Sequence, residues 1–230
     1  MTKSRTRLYE LSAAAYANGD YTGWFETLYA EAQGNSEAIP WADRGVNGWL
    51  ISWIETAQLN LQNLQVLVVG CGLGDDAEYL AKFGAKVTAF DLSQTAIDWC
   101  QQRFPESHVH YQAVDLFTAP TEWKFGFDLV IEIYTIQALP ANIRPNAITA
   151  IGNFVAPDGK ILVVCRGRDP EDACDRLPFP LTKDELTRFI DTGLTQVSFE
   201  DSISQRLGSA NDTLDTTPAR RFRIVYARSN

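Results

Sequence analysis

The hydrophobic positions of this chain change their spacing once along its length. Before Gln65, apolar residues recur at helical spacing in three segments, which predicts three helices. The segments are TRLYELSAAAYA, GWFETLYAEAQG and WLISWIETAQL, and a turn-rich NSEAIPWADRG separates the second from the third. We expect these helices to form a cap over the edge of a sheet.

From Gln65 onward, short and almost continuously apolar runs alternate with helix-like segments. The predicted strands are VLVV, KVTAFD, VHYQAVD, FDLVIEIY and GKILVVC. The predicted helices are DDAEYLAKF, QTAIDWCQQRF, RPNAITAIGNFV and LTKDELTRFI. Apolar strands that alternate with helices predict a parallel sheet covered by helices on both faces.

The last two strand candidates have a different pattern. TQVSFEDSIS and ARRFRIVYARS alternate apolar and polar residues, which is typical of antiparallel strands. We predict an antiparallel hairpin at one edge of the sheet, with GSANDTLDTTP as its loop. The predicted fold class is therefore α/β, with a seven-stranded, mostly parallel sheet, helices on both faces and an N-terminal helical cap. We expect one domain over 1–230, with 1–62 as the cap and 63–230 as the core.

Composition and charge narrow the range of partners. Hydrophobic residues make up 45% of the chain and charged residues 21%, as expected for a soluble globular protein. The 29 acidic residues against 20 Lys and Arg leave a formal charge of −9, which disfavours a nucleic-acid partner. Because no signal peptide and no apolar run of about 18 residues stand out, we expect no membrane partner and a cytoplasmic location.

Cysteine and histidine offer little catalytic or metal chemistry in this sequence. The four cysteines lack metal spacing, so we expect reduced thiols and no metal site. The two histidines, His108 and His110, precede a strand-like run and are too few for a histidine-based triad or a zinc site. We interpret them as an exposed strand entry.

A glycine-rich loop joins the first predicted strand to a helix. In VLVVGCGLGDD, residues Gly70, Gly72 and Gly74 allow a ligand to approach the backbone, and the helix that follows presents free N–H donors. Asp91, 21 positions after Gly70, ends the next strand, where its carboxylate can accept hydrogen bonds from ribose hydroxyls. Together these features predict an adenosine-containing ligand.

The two residues after Gly74 distinguish between candidate ligands. A dinucleotide-binding loop has a further glycine near a bound pyrophosphate, whereas this chain has Asp75 and Asp76, whose carboxylates repel phosphate. Acids in the first helical turn suit a ligand with an ammonium and a sulfonium group. The sequence therefore favours S-adenosylmethionine over NAD, although Asp75 alone is also explained as an ordinary helix-capping residue.

The third predicted strand ends in another acid. Asp115 can accept a hydrogen bond from an exocyclic amino group, with Leu116 and Phe117 packed against the ring that carries it. The alternative interpretation is an aspartate that caps its own loop.

Four segments in order resemble the motifs of the class I methyltransferases: VLVVGCGLG, VTAFDLSQTAI, VDLF and FDLVIEIYTIQAL. More narrowly, the chain is similar to the thiopurine and thiol/halide methyltransferase branch. It shares with that branch Trp24, Tyr29, the Pro40-Trp41 pair, GCGLGDD, ALP and Arg144. The resemblance extends from Trp24 to Phe189 and implies a Rossmann-like fold, S-adenosylmethionine as cofactor and S-adenosylhomocysteine as product.

The resemblance also implies which residues contact the cofactor. Trp24 and Trp41 would close the site, since aromatic faces suit a sulfonium, although packing in an amphipathic helix also explains Trp24. Glu132 would meet the methionine ammonium or the substrate, unless it is a solvated strand end. The complete predicted set is Trp24, Trp41, Gly70, Cys71, Gly72, Gly74, Asp76, Asp91, Leu92, Ser93, Asp115, Leu116, Phe117, Glu132 and Ile133.

The acceptor side is less clearly marked. Tyr134, Gln137, Arg166 and Arg168 are the candidates, and no isolated base stands out. The two arginines of CRGRD leave the fifth strand at its ligand-binding end, where they can hold an anionic acceptor or lower a thiol pKa. The rival interpretation is that they pair with nearby surface acids.

The predicted function is methyl transfer to a small-molecule acceptor by a monomer or weak dimer. In-line displacement at a sulfonium needs little beyond positioning, so a general base is optional. A thiol, a halide or a similar soft nucleophile is the favoured acceptor, and oxygen or nitrogen acceptors remain open. The alternative is a non-catalytic module that only binds S-adenosylmethionine.

Overall fold

A computed structural model describes residues 3–42, 45–204 and 219–230 of the chain. The α-helices are α1 Lys3–Ala17, α2 Trp24–Ala32, α3 Gly48–Thr56, α4 Asp75–Lys82, α5 Gln94–Arg103, α6 Arg144–Gly152 and α7 Lys183–Thr187. The strands are β1 Gln65–Val69, β2 Lys86–Asp91, β3 His110–Ala113, β4 Phe127–Ile133, β5 Val155–Arg166, β6 Leu194–Ser204 and β7 Ala219–Arg228. The predicted hairpin loop GSANDTLDTTP lies outside the described residues.

The strands form one seven-stranded sheet in the order β3-β2-β1-β4-β5-β7-β6. The first five strands run parallel, while β7 pairs antiparallel with both β5 and β6. The predicted α/β fold class is therefore confirmed, including the antiparallel C-terminal strands.

The antiparallel pair β6 and β7 lies at one edge of the sheet as predicted, with β6 outermost and β7 between β5 and β6. The polar residues Arg221 and Arg223 of β7 are only 2% and 8% exposed, so the alternating pattern does not mark a solvated face here. The reason is that α3 covers this face, and Arg223 donates hydrogen bonds to the Trp49 carbonyl (3.1 Å) and to Ser52 Oγ (2.6 Å).

Apolar side chains cover both faces of the sheet. On one face α6 and α7 pack against β4 and β5, through residues such as Ile148 and Leu186. On the other face α3, α4 and α5 pack on β1 and β2, through residues such as Leu50, Leu80 and Ile97. Thus α3, which its pattern grouped with the cap, forms part of the helical layer over the sheet.

The remaining two N-terminal helices form the cap proper. Leu8 of α1 and Trp24, Leu28 and Tyr29 of α2 share a third apolar cluster with Leu73, which lies in the glycine-rich loop. The cap therefore sits over the carboxyl ends of the parallel strands, where open α/β sheets bind ligands. Within the described residues, none of the helices has the length and apolarity needed to cross a membrane.

Candidate active site

A cavity of ≈ 280 Å³ opens between the cap and the carboxyl ends of the strands. Most of the residues predicted from sequence to form the site line this main cavity. They are Trp24, Trp41, Gly70, Cys71, Gly72, Gly74, Asp76, Asp91, Leu92, Asp115, Leu116, Phe117, Ile133, Tyr134, Gln137 and Arg166. The three that lie outside the lining are Ser93, Glu132 and Arg168.

The glycine-rich loop adopts a backbone that only glycine fits well. Gly70, Gly72 and Gly74 have φ values of 59°, 54° and 86°, in the left-handed region. A Cβ on Gly70 would collide with the side chain of Thr135, and one on Gly74 would lie 2.5 Å from Tyr111 Oη. The loop therefore presents bare backbone to the cavity.

Asp91 holds this loop in place from the end of β2. Its Oδ2 accepts from the Gly72 N–H (2.9 Å) and its Oδ1 from the Ser93 N–H (3.0 Å). Burial raises the pKa of Asp91, although these hydrogen bonds act in the opposite direction. A carboxylate has about four lone-pair positions, so Asp91 keeps acceptor capacity toward the cavity.

Asp115 both caps its own turn and lines the cavity. Its Oδ1 accepts from the Phe117 N–H (2.9 Å), which begins the 3₁₀ turn Leu116–Thr118. This is the loop-capping geometry considered as the alternative from sequence. Since Leu116 and Phe117 line the same cavity, that capping also places two apolar side chains beside the carboxylate.

The two acids that begin α4 have different partners. Asp75 pairs with Arg103 through two 2.9 Å contacts, so its charge is compensated within the protein. Asp76 lines the cavity, and its Oδ1 accepts from the Asn47 N–H at 2.7 Å. Both acids line the cavity, Asp75 beside its partner Arg103 and Asp76 beside the Asn47 backbone.

Aromatic side chains of the cap close the cavity above the glycine-rich loop. The Trp41 indole N–H donates to Tyr29 Oη at 2.9 Å, and a Cβ on Gly72 would lie 3.4 Å from that oxygen. Trp24 is 2% exposed and stacks on Phe25 with ring centroids 3.8 Å apart. Trp24 therefore packs in the apolar cluster of the cap and lines the cavity at the same time.

A carboxylate of the cap fastens it to the core. Glu26 on α2 accepts from Ser93 Oγ (2.6 Å), Thr95 Oγ1 (2.6 Å) and the Thr95 N–H (3.2 Å). Although burial opposes the change, these hydrogen bonds lower the pKa of Glu26. Ser93 also caps α5 by accepting from the Ala96 N–H, so this residue supports the site from behind the lining.

Glu132 lies fully buried at the end of β4, not at a solvated strand end. Its Oε1 accepts from the N–H groups of Thr135 (2.8 Å) and Ile136 (2.9 Å). Among the described residues, its Oε2 has no hydrogen-bond partner. Burial raises the pKa of Glu132 to about 7, against the effect of those two hydrogen bonds. Glu132 thus shapes the turn that carries Tyr134, whose φ is 65°.

The acceptor-side candidates divide into two groups. Tyr134, Gln137 and Arg166 line the cavity, and Gln137 Oε1 accepts from the Arg166 backbone N–H at 2.7 Å. Arg168 instead donates to the Pro180 carbonyl (3.1 Å) and lies 3.7 Å from Glu185. Arg168 therefore organises the loop after β5, and the acid it approaches is Glu185 of α7 rather than the surface acids that follow it in sequence.

The structure adds residues that the sequence reasoning missed. Arg221 on β7 lines the cavity and is the register partner of Arg166 on β5. Arg5 and Tyr9 reach the cavity from α1. The sequence marks Arg221 only weakly as a site residue. An arginine among the apolar residues of RRFRIVY indicates burial only when the strand is known to be internal.

Within 3–42, 45–204 and 219–230, no group of three His, Cys, Asp or Glu side chains is arranged to hold a metal ion. The four cysteines are free thiols, and Cys100 Sγ lies 3.2 Å from the Gly72 carbonyl.

Comparison with solved structures supports the fold. A structure described as showing the conversion of a disulfide bond into a thioacetal group during echinomycin biosynthesis has a TM-score of 0.68 and 22% identity. The match covers 89% of this chain and 92% of that one. Magnesium protoporphyrin IX methyltransferase (ChlM) from Synechocystis PCC 6803, with bound SAM, has a TM-score of 0.59 and 17% identity over 85% and 80% of the two chains.

Comparison of sequences identifies the family. Ubiquinone biosynthesis O-methyltransferase of Bordetella avium (strain 197N) is 30% identical over 129 residues. The match covers 55% of this chain and 52% of that protein, so the chain spans about half the length of the curated relative. The profile of the family described as Thiopurine S-methyltransferase (TPMT) matches residues 31–223. The chain therefore belongs to the thiopurine S-methyltransferase family of class I S-adenosylmethionine-dependent methyltransferases, which confirms the resemblance carried by its motifs.

Proposed function

We propose that this protein transfers a methyl group from S-adenosylmethionine to the thiol sulfur, or a similar soft nucleophile, of a small molecule. The observation that carries the proposal is the division of charge around one cavity. Asp76, Asp91 and Asp115 line it beside the glycine-rich loop, and Arg166 and Arg221 line it beside β5 and β7. Such a division suits a cationic cofactor at one end and an electron-rich acceptor at the other.

The cofactor end fits an adenosyl sulfonium residue by residue. Asp91 retains acceptor positions for ribose hydroxyls, and the turn after Asp115 offers apolar contacts for an adenine ring. Asp76 is placed to face the cationic methionine portion, with Trp24 and Trp41 closing the cavity above it. When bound, S-adenosylmethionine supplies a methyl group on a positively charged sulfur, which an acceptor lone pair displaces in line.

The acceptor end favours a nucleophile that needs no protein base. Among the described residues that line the cavity there is no histidine, and both histidines are exposed at β3. Glu132 is fully buried and does not line the cavity. Guanidinium groups near the acceptor stabilise a thiolate and thus lower the thiol pKa. A thiol can lose its proton to solvent, whereas a neutral hydroxyl relies on a base in the site.

Oxygen methylation is the second candidate function. It is favoured by the 30% identity to a relative named Ubiquinone biosynthesis O-methyltransferase, while the family description names sulfur methylation. The two candidates differ in what they require from the acceptor end, because efficient methylation of a hydroxyl requires a proton acceptor near the nucleophile.

Methyl transfer to a matched pair of acceptors separates these candidates. With methyl-labelled S-adenosylmethionine, we expect thiophenol to be methylated with a kcat/KM at least about 100-fold above that of phenol. A general base usually contributes at least about this factor, and phenol would have to react without one. A preference for phenol would establish oxygen methylation. Tight binding of S-adenosylhomocysteine with no transfer to either compound would support a non-catalytic module.

Cofactor binding is checked separately by calorimetry. Asp91→Ala should weaken S-adenosylhomocysteine binding by about 10-fold or more, since it removes a carboxylate acceptor from the proposed ribose position. Asp128→Ala is the matched control, because Asp128 accepts from the Gln65 N–H at the opposite end of the sheet. Equal affinity of the Asp91 variant and the wild type would contradict the proposed cofactor position.

A further inference from the structure

We propose that the methyl acceptor carries a carboxylate and that Arg221 binds this carboxylate, with Arg166 beside it. The inference rests on the proposed function, because it assigns the arginine end of the main cavity to the acceptor. It goes further by naming the charged group that the acceptor must have and the residue that selects it.

The first observation is that no carboxylate of the described residues pairs with the buried guanidinium of Arg221. Arg221 is 2% exposed, and its Nε has no hydrogen-bond partner within the described part of the chain. A terminal nitrogen makes a long hydrogen bond of 3.4 Å to the Arg220 carbonyl. The guanidinium also lies over the Tyr134 ring, 6.0 Å from the ring centroid. A buried charge without a partner is costly, so the site is incomplete without an anion.

The charges of the two neighbouring arginines of β7, Arg220 and Arg223, are each compensated by carboxylates. Arg220 contacts Asp169 and Asp201 at 2.7 Å each. Arg223 contacts Glu200 at 2.5 Å. Arg221 lies between them in sequence and lines the main cavity instead. The protein therefore supplies a carboxylate to each neighbour, and the cavity is the direction from which Arg221 can receive one.

The second observation is a second cavity, which shares lining residues with the main one and carries more basic than acidic side chains. A second cavity of ≈ 230 Å³ shares Arg5 and Arg166 with the main cavity and adds Arg176. Asp175 is the one acid in the lining of this second cavity, within the described residues. Asp175 lies 3.7 Å from Arg176. In a protein with a formal charge of −9, a cavity lined by three arginines and one acid favours an anion.

The form of the site favours a carboxylate on a small flat body. A guanidinium fork matches the two oxygens of a carboxylate, and one uncompensated guanidinium matches one negative charge better than the two of a phosphate. Tyr134 lies beneath the Arg221 guanidinium, and Leu177 and Pro178 add apolar surface to the lining of both cavities. If Arg221 on β7 binds the carboxylate, the nucleophilic atom at the other end of the acceptor can extend toward the cofactor end of the cavity.

Equilibrium binding tests this subsite without depending on turnover. Protein saturated with S-adenosylhomocysteine is titrated with 4-(methylsulfanyl)benzoate and, separately, with its methyl ester. We expect the carboxylate to bind at least about 10-fold more tightly than the ester, as a charge-assisted hydrogen bond would give. Arg221→Met should remove this difference, and Arg221→Lys should leave an intermediate one because lysine lacks the fork.

Arg220→Met is the matched control, since Arg220 is the adjacent residue with its ion pairs outside the cavity. It should leave the preference for the carboxylate unchanged. Unchanged S-adenosylhomocysteine affinity shows that each variant is folded. Equal binding of acid and ester by the wild type, or an unchanged preference in Arg221→Met, would overturn the proposal.

The two proposals fail in different ways. If thiols are methylated equally well with and without a carboxylate, for example 4-mercaptobenzoate and its methyl ester, sulfur methylation stands and the carboxylate subsite is wrong. If the carboxylate is bound through Arg221 while no thiol is methylated, the subsite stands and sulfur methylation is wrong.

Discussion

Arg166 and Arg221 are direct partners across the antiparallel pair β5 and β7, and both line the same cavity. Residues opposite each other on adjacent strands project from the same face of the sheet. The register of β5 and β7 therefore directs both arginine side chains to the same cavity.

Removing the buried charge of Arg221 should stabilise the protein in the absence of ligand. We expect Arg221→Met to raise the free energy of unfolding by about 1–3 kcal/mol, because an incompletely bonded guanidinium is replaced by an apolar side chain. Urea denaturation measures the change. Arg223→Met is the control and should lower stability, since Arg223 bonds to Glu200, Ser52 and the Trp49 carbonyl. A loss of stability in Arg221→Met comparable to that in Arg223→Met would show that Arg221 is a structural residue.

Glu132 should make stability depend on pH in a direction opposite to that of an ordinary carboxylate. Its folded pKa of about 7 lies above the ordinary value of 4.5, so the folded state binds this proton more tightly than the unfolded chain. Its contribution to stability is therefore complete below about pH 4.5 and is lost as the pH rises through about 7. The glutamine of Glu132→Gln is uncharged at every pH. The unfolding free energy of this variant minus that of the wild type should therefore rise by up to about 3 kcal/mol between about pH 4.5 and 7.

Unfolding curves at several pH values between 4 and 8 check this prediction for Glu132. Glu122→Gln serves as the control, because Glu122 is exposed on the surface. A difference between the Glu132 variant and wild type that does not change with pH would contradict the buried, protonated carboxyl group.

The three hydrogen bonds of Glu26 should govern closure of the cap. We expect Glu26→Ala to weaken S-adenosylhomocysteine binding by about 10-fold and to speed hydrogen exchange in α2, because the closed cap loses its contacts with Ser93 and Thr95. Calorimetry and hydrogen exchange measure the two effects. Glu31→Ala is the control, since Glu31 lies on the same helix and pairs with Arg7 inside the cap. Equal effects of the two variants would show that cap stability alone is responsible.

Much of the cofactor end could be predicted because its determinants are local. The positive φ values of Gly70, Gly72 and Gly74 belong to one short loop between a strand and a helix, and Asp91 ends the next parallel strand. Parallel order brings such strand ends to one edge, so spacing along the chain predicted proximity in space. The interpretation of Glu132 as a solvated strand end did not hold, because its burial depends on helices that cover both faces of the sheet.

The acceptor end could not be predicted in the same way. Arg168 and Arg166 are two residues apart, yet Arg166 lines the cavity while Arg168 donates to carbonyls of the loop after β5. Arg221 takes the place of Arg168 as a candidate at the acceptor end only because β7 lies between β5 and β6. Nothing in the alternation of RRFRIVY distinguishes an internal strand covered by α3 from a half-exposed edge strand.

The amino-acid sequence by itself determined the family, the cofactor and the succession of strands and helices along the chain, because these follow from local periodicity, the glycine-rich loop and acids at strand ends. Only the tertiary structure decided which arginine faces the cavity, which carboxylates are compensated and how the cap is fastened. The physical reason is that compensation of charge depends on long-range neighbours: Arg220 and Arg223 meet carboxylates across strands, and Arg221 meets a cavity.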